Sequence, residues 1–192
     1  MAPLRQPPGP DGGSADAARH PVLFVNPSSG GGKAARHDLT RRARERGIHV
    51  VALSGGEDPT ASVREEVARG ADALGVAGGD GSLAVVAAVA SAHDLPFVCV
   101  PAGTRNHFAR DVGVDPRDPI DALDAFGAGV ERRIDAADVN GRMFLNNVSL
   151  GIYGDAVRRP TYRGAKVRTL LDVAREVMGP SAAATGLRVV DD

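Results

Sequence analysis

The sequence predicts an α/β domain built on a parallel sheet, followed by the beginning of a second, β-rich domain. Three observations predict it. From Pro21 onward, short apolar, β-branched runs alternate with amphipathic segments of about 10 to 14 residues, the pattern of successive βα units. Three of these runs lead into glycine-bearing loops, at Asn26–Lys33, Gly78–Ser82 and Pro101–Arg110. Beyond Gly129 the texture changes to two strand-like runs around Asn140-Gly141, the pair that suits a tight primed hairpin turn.

Taken in order, Met1 to Ala18 holds four prolines, three glycines and little apolar content, which does not offset the entropy of ordering a chain. A disordered leader over residues 1–19 is expected. Val22–Val25 is the first strand. A helix follows from Lys33 to Arg46, ended by Gly47. Ile48–Leu53 is the second strand, and after Ser54-Gly55-Gly56 a helix starts with Pro59 in its first turn and closes at Gly70. Ala71–Ala77 forms the third strand, Ser82–Ser91 the next helix and Phe97–Val100 the fourth strand. Asn106–Asp111 reads as a short helix, and Pro116–Phe126 as a longer one with Asp115 at its N-cap. Val130–Val139 and Met143–Leu150 make the hairpin. Val167, Leu170, Leu171, Ala174 and Val177 give Gly164–Met178 a helical apolar stripe, and Leu187–Val190 is one further strand. The domains expected are therefore 20–134 for the α/β unit and 135–192 for part of a second.

Composition narrows the function classes. The 192 residues carry a formal net charge of -1, which excludes a nucleic-acid binder by bulk charge. The longest apolar run, Leu83–Ala90, is far short of the roughly 20 residues of a membrane span. A lipid partner would be met from the water side. Cys99, the single cysteine, excludes an internal disulfide and fits a reducing, cytoplasmic setting. In a buried strand it reads as a small hydrophobe. His20, His37, His49 and His93 have no ligand spacing. Arg41, Arg42, Arg44 and Arg46 lie on one helix and read as a solvated face, with docking to anionic lipid headgroups as the functional alternative.

The chemistry gathers in the loops, because in an open α/β sheet ligands bind at the carboxyl ends of the strands. Asn26-Pro27-Ser28-Ser29-Gly30-Gly31-Gly32-Lys33 lets backbone N–H groups approach a phosphate closely. It is not a P-loop, which would need Gly at Pro27 and Ser or Thr at Ala34. Gly78-Gly79-Asp80-Gly81-Ser82 adds a carboxylate among glycines, suited to Mg²⁺-bridged phosphates or to accepting a proton. Its loose dinucleotide pattern, Gly79-x-Gly81-x-x-Ala84, does not follow the first strand. In the third loop Thr104 and Asn106 supply hydrogen-bonding groups and Arg105 a fork-shaped cation.

Asn26–Ala34, Gly78–Ser82 and Pro101–Ala109, in that order and spacing, together with Phe144–Gly151, resemble the catalytic domain of the diacylglycerol kinase and sphingosine kinase family over about residues 21 to 190. The central motif alone is shared with NAD kinases and 6-phosphofructokinases. The resemblance implies an NAD kinase/phosphofructokinase-like nucleotide domain with a β-sandwich lipid domain behind it. It implies an ATP-dependent lipid kinase acting at a membrane surface, most simply on diacylglycerol to give phosphatidic acid. By position, Asn26, Pro27, Ser28, Ser29, Gly30, Ser54, Gly79, Asp80, Gly81, Ser82 and Thr104 would contact ATP. Asp80 would hold Mg²⁺ or help activate the acceptor hydroxyl. Ser82 stands where the family usually has Thr and keeps the hydroxyl; His107 stands where it often has Asp, and bears on acceptor-side contacts.

Members of that family carry a longer second domain with a late acidic motif proposed to supply the general base, which this sequence does not reach. Nucleotide binding is therefore expected more strongly than turnover. The alternatives are a truncated, non-catalytic nucleotide-binding fragment or pseudoenzyme, and an NAD kinase-like phosphotransferase. A location at the inner face of the membrane follows from the lipid reading, and a homodimer is left open.

Overall fold

The structure, a computed structural model, describes residues 13–14 (backbone only), 16–53, 58–139 and 141–145. Ser54, the expected helix 164–178 and the expected strand 187–190 lie outside the described residues, as do 146–150 of the second hairpin strand.

Four parallel strands form the central sheet: β1 (Pro21–Val25), β2 (His49–Ala52), β3 (Ala73–Gly78) and β4 (Phe97–Pro101), in the order β2-β1-β3-β4. Such a sheet is apolar on both faces, because the crossover helices cover both. β1 shows how its period of two sorts residues. Val22 and Phe24 join Leu74, Val76, Cys99 and the helix residues Val63, Leu83 and Val86 on one face. Leu23 and Val25 join Ala73, Ala77, Val98 and Val100 under Leu39, Ala43, Leu123 and Phe126 on the other. The α/β class with a parallel sheet is as the sequence predicts.

The helices are α1 (Lys33–Arg36), α2 (Leu39–Glu45), α3 (Thr60–Ala68), α4 (Asp80–Ala92), α5 (His107–Asp111) and α6 (Ala125–Ala128). Two differ from the sequence reading. The single helix expected over Lys33–Arg46 is broken by Asp38, which sits at φ 51°, a left-handed conformation that Asp tolerates better than most residues. Arg41 caps the break by pairing with Asp38, and it also pairs with Glu45. Arg46 pairs with Asp124. The helix expected over Pro116–Phe126 is replaced by a 3₁₀ turn at Asp121–Asp124 and the one-turn α6. Pro119 disfavours helical backbone at Asp118. The Asp118 carboxylate accepts the N–H groups of Ile120 and Asp121, and Asp115 accepts that of Arg117, so both aspartates close turns.

The strand expected over Val130–Val139 is two short pieces, β5 (Val130–Glu131) and β6 (Ala137–Val139). β6 pairs antiparallel with β7 (Arg142–Phe144), Val139 facing Arg142, the hairpin pairing the sequence indicates, while Asn140 of its turn lies outside the described residues. β5 pairs with Gly13–Ser14 of the leader. Farther along, the N–H of Ala18 donates to Phe126 O, and those of Arg19 and His20 to the Asp72 carboxylate. Backbone hydrogen bonds, which composition does not reveal, anchor this stretch.

Candidate functional site

The register places the carboxyl ends of all four strands along one edge. Val25 is level with Ala52 and with Ala77, and Gly78 with Pro101. From β1 the chain goes first to one side, β2, and then to the other, β3. The topological switch point therefore lies between β1 and β3, where open α/β sheets have their ligand crevice. The first two glycine loops leave the sheet on either side of that point.

Asn26 joins them. Its backbone N–H donates to Ala77 O at 2.9 Å, its Oδ1 accepts from the Ser28 N–H at 3.1 Å, and its Nδ2 donates to Ser82 Oγ at 2.8 Å. Asn suits this position because one amide supplies both an acceptor for its own turn and a donor for the neighbouring loop. Gly79 is the extended cap of α4, and Asp80 starts the helix. Being 13 residues long, α4 directs a substantial positive dipole end at the crevice, which stabilises the Asp80 carboxylate in its first turn.

The third loop closes against the other two. Asn106 is buried, 5% exposed, and left-handed at φ 52°. Its side chain accepts the Gly103 N–H at 2.8 Å and donates to Gly103 O at 3.1 Å, drawing the loop into a tight turn. A Cβ on Gly103 would lie 2.4 Å from Gly79 Cα, and one on Gly30 would lie 2.5 Å from Ala102 O. Glycine is required at both by close backbone approach. The Phe108 N–H donates to Asp80 Oδ1 at 3.3 Å, leaving Oδ2 as the carboxylate oxygen not engaged by that bond.

Of the residues expected at the site, Asn26, Gly30, Gly79, Asp80 and Ser82 are thus brought together. Ser29 lies in the 3₁₀ turn Ser29–Gly31, Pro27 and Ser28 are exposed on the first loop, Gly81 is exposed in the first turn of α4, and Thr104 is exposed beside Gly103. Arg105 and His107 are also exposed. Asn106, expected to offer its hydrogen-bonding groups at the helix start, spends them inside its own loop on Gly103. Two contributors have no role in the sequence reading: Lys33 donates to Pro101 O at 2.9 Å and to Pro116 O, and Arg36 donates to Gly30 O and Gly31 O. Burial, reinforced by the nearby Arg36, holds the Lys33 ammonium below the ordinary lysine range.

A cavity of about 410 Å³ lies away from the glycine loops, along β4 and the segment 129–145, with Leu95, Phe97, Cys99, Phe108, Val112 and Met143 in its wall. It touches the switch-point site only through Phe108. Burial, with a smaller contribution from Asp80, pushes the Cys99 thiol up to about 12, so it stays protonated at neutral pH and is a poor nucleophile. The polar groups capable of recognising a ligand sit at the loops. Among the described residues no group of three or more His, Cys, Asp or Glu is placed to hold a metal. Mg²⁺ in phosphoryl-transfer sites is usually held by one or two carboxylates plus substrate phosphates, and Asp80 is a donor of that kind.

Comparison with known proteins follows the same lines. A diacylglycerol kinase of Mycobacterium tuberculosis is 38% identical over 118 residues, covering 59% of this chain and 38% of the relative. A diacylglycerol kinase of Bacillus subtilis is 33% identical over 132 residues, covering 65% and 43%. A protein of Pseudomonas fluorescens described as "Probable lipid kinase YegS-like" is 40% identical over 106 residues, covering 54% and 34%. The matches thus span less than half the length of these relatives. Among solved structures, a diacylglycerol kinase from Bacillus anthracis superposes with a TM-score of 0.57 at 27% identity, covering 69% of this chain and 47% of that one. The profile of the diacylglycerol kinase catalytic domain matches residues 20–139, the stretch that contains all three glycine loops and the switch point between β1 and β3. The chain belongs to the diacylglycerol kinase catalytic domain family, a family of lipid kinases.

Proposed function

We propose that the chain binds Mg-ATP at the switch-point crevice and carries the nucleotide-binding part of an ATP-dependent lipid kinase, with diacylglycerol as the acceptor and phosphatidic acid as the product. The observation that carries this reading is the meeting of the three loops: Asn26 bonded to Ser82 across the switch point, and Gly103 packed on Gly79 beside Asp80. Phosphoryl transfer asks a protein mainly for positioning and charge neutralisation, and backbone donors beside one carboxylate supply both.

In this reading the Asn26–Gly30 loop, Ser54, Gly79, Gly81, Ser82 and Thr104 contact the nucleotide. Asp80 would hold Mg²⁺, whose charge would offset that developing on the phosphates. Phe108 N–H fixes one Asp80 oxygen and so orients the other. The acceptor hydroxyl oxygen forms a bond to the γ-phosphorus as the bond from that phosphorus to the β,γ-bridging oxygen breaks; ADP leaves with the electron pair and the hydroxyl loses its proton to solvent. No helix among the described residues is long and apolar enough to cross a membrane, and the lipid is met peripherally, at the inner face.

The test is Mg-ATP binding by calorimetry, followed by transfer of labelled phosphate to diacylglycerol in vesicles. Asp80→Asn keeps an acceptor for the Phe108 N–H, so the variant should fold normally while transfer falls by ~100-fold or more. Absence of Mg-ATP binding by the wild type, or unchanged transfer in Asp80→Asn, would end the proposal. Phosphorylation of NAD in place of the lipid would move the chain to the NAD kinase-like reading.

A further inference from the structure

The first glycine loop ends on one cation, Lys33, with a second, Arg36, three residues on, and both are engaged by backbone carbonyls. Lys33 opens α1 and reaches across the sheet, past β3, to Pro101 O at the carboxyl end of β4 at 2.9 Å, and to Pro116 O beyond α5. Arg36, one turn later, turns back on the loop and donates to Gly31 O at 2.5 Å and Gly30 O at 3.0 Å. Two of the three ammonium hydrogens and two guanidinium nitrogens are therefore engaged by backbone carbonyls. The loop they serve has Gly30, Gly31 and Gly32 at φ 56°, 63° and 84°, a backbone with little stiffness of its own. Gly30 already lies against Ala102 and Gly103, so the Lys33 bond ties the same pair of loops together a second time.

Resting on the nucleotide reading of this crevice, we propose that Lys33 and Arg36 are positioning residues. They hold the first glycine loop from behind and lock it to the third, and they make no contact with the phosphates. Arg36 takes the carbonyls of Gly30 and Gly31, which turns the opposite edges of those peptides away from the guanidinium. Lys33 fixes the distance between the start of α1 and the end of β4. A carbonyl is a neutral partner, so each bond is charge-assisted without cancelling the cation. The positive charge remains behind the loop, where it attracts an anion over several ångströms without being a ligand to it.

The clamp is separable from nucleotide binding because every one of its bonds joins two groups of the protein itself. Amide hydrogen exchange of the nucleotide-free protein, comparing wild type with Lys33→Met, should show about tenfold faster exchange in both Asn26–Ala34 and Pro101–Phe108, with β1 and β3 unchanged. In the presence of Mg-ATP, Lys33→Met should raise KM for ATP about tenfold and leave kcat within about twofold. Arg36→Gln, an exposed position, should loosen Gly30–Ala34 alone and raise KM for ATP about threefold; it carries the test if Lys33→Met does not fold. Unchanged exchange in both variants overturns the clamp. So does a collapse of kcat with KM retained, which would put Lys33 on the transferring phosphoryl group. If the wild type binds no Mg-ATP, the nucleotide reading fails while the exchange comparison still decides whether the clamp is real.

Discussion

Gly81→Ala separates what the fold asks of the second loop from what a ligand asks of it. Gly81 is the second residue of α4, is exposed, has no positive φ, and a Cβ built on it meets nothing within 4 Å. Folding gives no reason for glycine there. Alanine is better in a helix by up to about 1 kcal/mol in an interior position; at the first turn about 0.5 kcal/mol is expected. That raises Tm by roughly 1–3 °C. The same methyl stands at a point where the proposed nucleotide approaches the backbone, so Kd for Mg-ATP should rise by about tenfold or more. Gly103→Ala is the counterpart: its Cβ would lie 2.4 Å from Gly79 Cα and 2.8 Å from Asn106 Oδ1. Backbone must move to admit it, and a loss of about 2 kcal/mol follows. Thermal unfolding and calorimetry on both variants read the four numbers. A destabilised Gly81→Ala, or one that binds Mg-ATP as the wild type does, would refute the assignment of that glycine to a ligand.

Two further outcomes follow from groups away from the crevice. Cys99 has a native thiol pKa raised to about 12 from 9.0, chiefly by burial. The stability tied to it is complete below about pH 9 and is lost as pH rises toward 12, because only the unfolded thiol ionises in that window. Urea unfolding at pH 8 and pH 10 should show a smaller decline for Cys99→Ala than for the wild type, and native Cys99 should react with a thiol reagent only as fast as the domain opens. Asp72→Ala removes the acceptor for the Arg19 and His20 N–H groups, both at 2.8 Å. These bonds are exposed, so the loss is about 1 kcal/mol or less, while tryptic cleavage after Arg19 should accelerate several-fold.

The strands were legible because a doubly covered parallel sheet writes continuous apolar runs, and Pro21–Val25, Ala73–Gly78 and Phe97–Pro101 are nearly such runs. The hairpin register was legible because Asn140-Gly141 admits few turns. The helix expected at Pro116–Phe126 failed on a signal the sequence does contain, Pro119 acting on Asp118. The break at Asp38 was not written so plainly: Asp adopts the left-handed region only where tertiary packing rewards it, here by seating Leu39 and Ala43 in the core. At the site, residue types announced the loops but not their partners. Lys33 and Arg36 bond to carbonyls, and a carbonyl has no identity in the sequence; for Lys33 the one in reach is decided by strand order, and for Arg36 by the turn of the glycine loop itself. Asn106 misled for a related reason, since its donor and acceptor groups suit an exposed helix start and a buried turn equally well.

Strand order also explains why the second loop is the hub. β3 lies between β1 and β4, so the loop that follows it leaves the one strand hydrogen-bonded to both of the other two. Each of its contacts uses a different part of five consecutive residues. Gly79 receives the third loop by backbone contact, Asp80 holds Phe108 of the third, and Ser82 accepts from Asn26 of the first. The first and third loops, two strands apart, meet only through what reaches across: the close approach of Gly30 to Ala102 and the long side chain of Lys33. A short residue at position 33 could not span that gap, whereas Asn at 26 is long enough because β1 and β3 are hydrogen-bonded neighbours. The sizes of the side chains that join the loops are thus set by the spacing of the strands beneath them.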